Sequence, residues 1–571
     1  MRRAPGRMTR VEKPCCCGVR GILSISQLLG LALALLGWGD PVHGQGSLLL
    51  MGGGDDRRTW ADPVFRWFVQ QADSGKIINI DVDETAASYA STFKAWGAAA
   101  SSHPLQIATR ASANDSATYR ELVSASGIFI EGGDQWDYVS TWKGTLVEKA
   151  IEEVFARGGA IGGTSAGLAV LGEVVFDAAY GTAYPEYAAY NPYYARIHFT
   201  DDFLDILSGV LTDSHFQTRA RLGRLVPMLA RRIQDYAQPD LMGIGVDEST
   251  ALCVNPDLTA VAYGVGSVTI LYRSENSRIV CEPNRPVTFT DICFDQLVWG
   301  AVYDLRTRTL IDPGPYLQPL AGPAQPSAFT PLLLYGGADS TAEMGEVVIT
   351  NLTSGEDNAF YGRLGQRPGR GLVPQAVIIP KVWNNRTFAP NRIVGGQWGA
   401  ATHPGYTALF LGDNSTCAID ASGTMTVEVL AYVLDTSTAT HAGVPRGTNV
   451  PGIVGARLHF LASGDRYDLA RHEAVTAVRA KLPPFPQTHL LVYNFPNPFS
   501  RQTCFSYWLP APGEVTLEMF NVRGQQVGRM HDQWQEPGWH TMEWEASLPR
   551  GVYLYRLVTS AGCASGRCVV K

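Results

Sequence analysis

Two hydrophobic periods alternate along the first half of the chain. Ser47–Met51 is a short apolar run that enters Gly52-Gly53-Gly54-Asp55, which predicts a strand followed by a tight turn. Residues 63–71 carry apolar positions at helical spacing, and residues 76–81 form another short apolar run. The pattern continues with a strand over 127–131, a helix over 138–156, a strand over 160–162 and an apolar helix over 168–176. Strands alternating with helices at this spacing predict an α/β fold, with a parallel sheet covered by helices on both faces. From 251 to 272 the runs turn β-rich, which fits a sheet edge or a β extension.

Beyond residue 310 the pattern changes. Five prolines within 311–326 (Pro313, Pro315, Pro319, Pro323 and Pro326) predict a boundary between a domain over 47–310 and a β-rich, glycine-rich region over 311–482 with no assigned role. Leu332-Leu333-Leu334-Tyr335-Gly336-Gly337 echoes Leu48-Leu49-Leu50-Met51-Gly52-Gly53, and Asp413-Asn414-Ser415-Thr416 echoes Asp247-Glu248-Ser249-Thr250. The two segments lie 199 residues apart in the first occurrence (48 to 247) and 81 in the second (332 to 413). That mismatch favours a coincidence of short runs over a shortened, degenerate second copy. Pro483, Pro484 and Pro486 predict a second linker. After it, Val515, Leu517 and Met519, then Val552, Leu554, Tyr555 and Leu557, predict an antiparallel β-sandwich over 489–571.

The N-terminus predicts export. Arg2, Arg3, Arg7, Arg10, Lys13 and Arg20 stand against the single acid Glu12, an apolar stretch follows over 22–36, and Val42-His43-Gly44 offers small residues for cleavage. This is a secretory signal pattern over 1–44, too short in its apolar part for the roughly 20 residues of a membrane span. Met8 is an alternative start. The expected destination is secreted or cell-surface, reached through the periplasm. Seven cysteines remain after the leader (Cys253, Cys281, Cys293, Cys417, Cys504, Cys563 and Cys568), with Cys563 and Cys568 a plausible local pair and one thiol left over. The net charge of −7 and the lack of any Lys/Arg block exclude a nucleic-acid partner.

Three segments carry candidate chemistry. Gly163-Thr164-Ser165-Ala166-Gly167 lies between an apolar run and a predicted helix, the setting of a nucleophile elbow that exposes the serine oxygen on a strained turn. The helix start behind it would offer backbone N–H groups to a developing oxyanion. His215 sits beside Asp213 and ahead of Arg219, Arg221 and Arg224, a cluster suited either to an anionic substrate group or to a solvated helix face. Asp247 and Glu248 end a short apolar run, and either could orient an imidazole.

Together with Gly132-Gly133-Asp134-Gln135, these segments occur in the order found in the cyanophycinases, so that residues 47–310 resemble the cyanophycinase and peptidase E family of serine peptidases. The resemblance implies a fold like class I glutamine amidotransferases and a hydrolase needing no metal or organic cofactor. It implies Ser165 as nucleophile, His215 as general base, Glu248 as orienting acid, and Gly133 and Ala166 as oxyanion donors. Gln135, Asp213, Arg219, Arg221 and Arg224 fall on positions that hold the β-aspartyl-arginine unit. One departure is Ser214, where cyanophycinases typically carry Gln, which leaves the triad intact and bears on specificity.

Asn494-Phe495-Pro496-Asn497-Pro498-Phe499 and Gly551-Val552-Tyr553-Leu554-Tyr555-Arg556, closing on Lys571, resemble the immunoglobulin-like sorting domains read by the type IX secretion system. The implied partners are a peptide or cyanophycin-like polymer as substrate and the secretion machinery, with a homodimer compatible. Two other functions stay open: a dipeptidase or amidase on other peptides, and a catalytically inactive surface binding protein.

Overall fold

The computed structural model describes residues 46–55, 59–83, 87–322, 326–353, 357–383, 389–475, 491–495, 502–509, 511–535, 538–545, 548–560 and 562–570. The expected leader over 1–44, the prolines at 483, 484 and 486, and Pro496 to Phe499 of the terminal motif lie outside the described residues.

The first half opens with β1 (Ser47–Met51), α1 (Asp62–Gln71), β2 (Ile77–Asp81), β3 (His103–Gln106) and β4 (Gly127–Ile130). It continues with α2 (Gln135–Trp142), α3 (Leu146–Ala156) and β5 (Ala160–Thr164). Strands β1, β5, β4, β2 and β3 are neighbours in that order and run parallel. β1 lies mid-sheet, so both its faces are covered: Leu48 and Leu50 enter one core, Leu49 and Met51 the other. α1 starts on Asp62 and Pro63, a favourable acid and a preset φ at a helix start, and buries Val64, Phe65, Phe68 and Val69 along one stripe.

Two expected helices are corrected. The single helix over 138–156 is two, because Gly144 adopts φ +69° and Thr145 accepts the Val147 N–H to cap a fresh start. The helix over 168–176 is helical only at Ala166–Ala169 and then becomes β6 (Gly172–Phe176). Val174 and Val175 favour a pleated strand. Gly172 also approaches its neighbouring strand so closely that a Cβ there would lie 2.6 Å from the Val210 carbonyl oxygen.

The chain proceeds through β7 (Leu207–Asp213), α4 (Leu222–Asp235), β8 (Met242–Val246), β9 (Thr250–Val254), β10 (Thr259–Gly264), β11 (Val268–Val280) and β12 (Thr288–Leu297). β9 extends the first sheet antiparallel to β1, and β10 pairs antiparallel with β9. β6, β7 and β8 run parallel in a second sheet, with β11 and β12 added antiparallel.

The second half contains β13 (Leu332–Tyr335), β14 (Gly345–Thr350), β15 (Val373–Ile379), α5 (Ala389–Ala401), β16 (Thr407–Leu411), β17 (Thr416–Ile419), β18 (Thr424–Val427), β19 (Leu430–Asp435) and β20 (Gly452–Ala462). β14, β15, β16, β19 and β20 continue the second sheet, in the order β6-β7-β8-β11-β12-β20-β19-β16-β15-β14, while β13, β17 and β18 lie in a separate sheet. The prolines over 311–326 therefore separate two contributors to one sheet. Phe289 pairs with Phe460 and Ile292 with Leu458 across that junction, and one apolar core joins Phe216, Leu225 and Phe294 to Ile393, Phe410 and Tyr432.

The pairings repeat on either side. β14, β15 and β16 run parallel and β19 and β20 antiparallel, as β6, β7 and β8 do with β11 and β12. β13 pairs β17, which pairs β18, as β1 pairs β9 and β9 pairs β10. The echoed leucine-glycine and Asp-x-Ser-Thr segments sit at corresponding points of this repeat. No described segment between β13 and β14 corresponds to β2 through β5.

The described segments beyond residue 490 form two antiparallel sheets, one of Leu491–Phe495, Gln502–Leu509 and Gly538–Glu545, the other of Gln526–Gln535, Gly513–Asn521, Gly551–Thr559 and Gly562–Val570. They share a core of Phe505, Tyr507, Leu517, Met519, Tyr555 and Leu557. Cys563 and Cys568 are both free thiols. They lie in one extended strand, about 16 Å apart at strand rise, beyond disulfide reach.

Candidate active site

The ends of β1, β5, β7 and β8 converge on one point. Ser165 follows β5 with φ 54° and ψ −112°, a conformation that costs a non-glycine residue about 1–3 kcal/mol. The turn closes only because its flanks are glycine. A Cβ at Gly163 would lie 2.3 Å from the Gly167 carbonyl oxygen, and one at Gly167 would lie 2.2 Å from the Ile130 oxygen. The Ser165 N–H donates to the Met51 carbonyl at 3.0 Å, which ties the elbow to β1.

His215 follows β7, also with positive φ, and its N–H donates to the Gly52 carbonyl at 2.9 Å. Its Nε2 lies 2.7 Å from Ser165 Oγ, and its Nδ1 lies 2.5 Å from Glu248 Oε1. This geometry leaves Nε2 able to accept the hydroxyl proton while Nδ1–H donates to the carboxylate. Burial holds the imidazole below its ordinary pKa, Glu248 pulls against that, and the charges of Arg221 and Arg219 add to the depression. The hydrogen bond to His215 keeps the Glu248 carboxyl below its usual range. Asp247, the other acid of the pair, turns away. It is fully buried, accepts the Gln217 N–H at 2.9 Å and the Ser267 N–H at 2.7 Å, and burial pushes its pKa up to about 7.

Gly52-Gly53-Gly54, read from sequence only as a turn, is the floor of the site. A Cβ at Gly53 would stand 2.6 Å from His215 Cε1 and 3.1 Å from Ser165 Cβ, and one at Gly54 would stand 3.0 Å from Glu248 Cβ. The Gly53 carbonyl accepts the Ser249 N–H at 2.8 Å, so this loop positions all three side chains. Three consecutive glycines at a strand end were the available signal.

Of the Gly132-Gly133 pair, Gly132 packs against Ser165, with its Cβ position 3.1 Å from Ser165 Cβ, while Gly133 faces Tyr138. Tyr138 donates its hydroxyl to the Glu131 carbonyl at 2.9 Å, bracing this loop. Ala166 begins the short helix directly after Ser165. Gln135 heads α2 and donates through Nε2 to the Phe176 carbonyl at 3.1 Å.

The arginine cluster divides. Arg224 donates to both oxygens of Asp213, at 2.8 and 2.6 Å, and Arg221 reaches the same carboxylate at 3.1 Å. All three are buried. Burial raises the Asp213 pKa, but Arg224 and Arg221 outweigh it and hold the carboxyl below its ordinary value. Arg219 is different, with a side chain 53% exposed and Nε 3.9 Å from Glu248. A cavity of about 500 Å³ adjoins the triad on the Glu248 side, and Arg219, Arg221 and Arg224 line it. Asp213 and Gln135 are not among its lining residues.

A strained serine in line with an imidazole and a carboxylate is the arrangement of a serine hydrolase. Residues 48–260 match peptidase family S51. The chain is 31% identical over 208 residues to the cyanophycinase of Synechococcus elongatus, covering 36% of this chain and 60% of that protein. It is 30% identical over 213 residues to the cyanophycinase of Trichormus variabilis, covering 36% of this chain and 66% of that one. The chain thus spans about 60% of the length of the first curated relative it matches. Among solved structures, a peptidase from an acI-B1 Actinobacterium is 19% identical with a TM-score of 0.34, covering 46% of this chain and 98% of that one. The S51 match and the cyanophycinase relatives support a serine-type peptidase hydrolase.

Proposed function

We propose that this protein is a secreted serine exopeptidase resembling cyanophycinase, acting on a β-aspartyl-arginine polymer or related Asp-containing peptides. The observation that carries this reading is the contact chain from Ser165 Oγ through His215 to Glu248, at 2.7 and 2.5 Å, on a strained elbow. Ser165 Oγ attacks the scissile carbonyl carbon as its proton passes to His215 Nε2. In this reading backbone N–H groups of Ala166 and Gly133 take the oxyanion, Ala166 from the helix start directly after Ser165. The C–N bond then breaks as His215 returns the proton to the leaving amine, and water, deprotonated by the same imidazole, releases the acyl group.

Arg219 is the guanidinium best exposed to a substrate carboxylate, while Arg221 and Arg224 with Asp213 form the rigid base beneath it. The leader over 1–44 and the immunoglobulin-like domain over 489–571 supply export and type IX sorting in this reading. Ser165→Ala tests the chemistry. It is expected to abolish labelling by a fluorophosphonate and to lower kcat by about 10⁶-fold, the scale of a lost triad nucleophile. Retention of a tenth of wild-type turnover on β-aspartyl dipeptides would refute the assignment.

A further inference from the structure

The second half repeats the strand plan of the first without its chemistry. The Lys381 N–H donates to the Gly336 carbonyl at 2.9 Å, the counterpart of His215 N–H to Gly52, and both residues have positive φ, 54° and 45°. One residue on, Val382 N–H donates to Leu411 as Phe216 N–H donates to Val246. Lys381 therefore stands where the first half has its imidazole, and its ammonium is bound to Asp339 at 2.7 Å. No described segment supplies an elbow serine there. Among the described residues this half shows no triad of its own.

It does build part of the first half's cavity. Trp383, Ala389, Pro390 and Asp357 line it together with Arg219. Trp383 is locked in place: its Nε1–H donates to Tyr432 Oη at 3.1 Å, and its ring lies over Gly223, where a Cβ would come within 2.6 Å. Gln217, two residues past His215, donates across the junction to Gln397 Oε1 at 2.8 Å, so the histidine loop and this wall are held in one register. Asp357 is exposed and makes no ion pair among the described residues.

We propose that the second half serves as a specificity wall of the cavity, with Asp357 as a specificity-determining residue that selects a cationic substrate side chain. The inference rests on the cavity being the substrate site of the hydrolase proposed above. A substrate carboxylate at Arg219 and a cation at Asp357 match the two exposed charges that line the cavity. Within the same cavity Glu186 is buried and Glu248 is committed to His215, which leaves Asp357 as the exposed carboxylate.

The test reads binding, so that it does not depend on turnover. In a Ser165→Ala background, calorimetry compares β-aspartyl-arginine with β-aspartyl-leucine, before and after Asp357→Lys. The expected result is that charge reversal weakens the arginine peptide by about tenfold or more and leaves the leucine peptide within about twofold. Asp357→Asn should give a smaller loss in the same direction. Equal changes for both peptides, no change for either, or no binding of either peptide to the unaltered wall would overturn the proposal. Fluorophosphonate labelling of Ser165 in the unaltered chain reads the triad by itself. Lack of labelling in wild type itself would refute the hydrolase reading separately, because the binding comparison uses a protein without that serine.

Discussion

Replacing Gly53 by alanine should disable the site while leaving the fold standing. A Cβ added there would sit 2.6 Å from His215 Cε1 and 2.8 Å from Nε2, whereas carbon atoms rest about 3.5–4.0 Å apart. The imidazole must move by about 1 Å, and the 2.7 Å contact with Ser165 Oγ opens past hydrogen-bond range. A misplacement of that size costs on the order of 100-fold in rate. Gly53 also has φ +91°, so the substitution adds backbone strain of about 1–3 kcal/mol. Gly97 separates the two effects, since it has φ +104° and nothing within 4 Å of its Cβ position. Gly97→Ala should lower the melting temperature to a similar extent and leave fluorophosphonate labelling of Ser165 at the wild-type rate. Gly53→Ala should slow labelling about 100-fold. Labelling of Gly53→Ala within threefold of Gly97→Ala would refute the view that this glycine holds the imidazole in line.

Three further outcomes follow from the site and the chain ends. Because burial depresses the His215 pKa and the base must be neutral, the acid limb of kcat/KM should have its midpoint below 6.5; Glu248→Gln removes the group that pulls the value up, so the midpoint should fall further while the plateau drops about 10³–10⁴-fold. Asp213→Ala leaves Arg221 and Arg224 buried without their carboxylate and should cost about 3–5 kcal/mol by denaturant unfolding. The Asp213 carboxyl is depressed in the folded state, so its stabilisation is present above the ordinary carboxylate pKa and lost as pH falls through the lower folded value. A chain ending at Lys481 should keep its hydrolytic activity yet stay in the periplasm of a host with type IX machinery; surface export of the shortened chain would end the sorting reading, and loss of activity would tie the terminal sheets to the catalytic fold.

Local chemistry was legible wherever neighbouring residues settle it. Apolar runs ending in glycine announced β1 and β5, because a central parallel strand is buried on both faces and its turn must tolerate close backbone approach. The elbow around Ser165 was visible for the same reason, since flanking glycines are what its dihedrals require. Segments with competing local preferences were not legible. Residues 168–176 carry an apolar pattern that either a buried helix or a buried strand satisfies, and pairing with β7 decided for the strand. The choice between Asp247 and Glu248 was also tertiary. Adjacent carboxylates at a strand end point to opposite sides, and only the placement of His215 on one side and Ser267 on the other assigns one to the imidazole and one to the interior.

The arginine cluster illustrates the same division. Sequence alone established a guanidinium-rich segment beside a histidine; packing decided that Arg221 and Arg224 neutralise buried Asp213 while Arg219 stays exposed. The role of the second half lay furthest from the sequence. Its echo of the first survives in two short runs at mismatched spacing, because the segment corresponding to β2 through β5 is missing between them. What the repeat retains is its hydrogen-bonded strand order, a property of backbone pairing that many sequences satisfy. The chain by itself therefore determined the strands, the turns and the reactive residue types. Their convergence, and the lining that the second half adds to the cavity, were decided only when residues more than a hundred positions apart were brought together in shared sheets and one core.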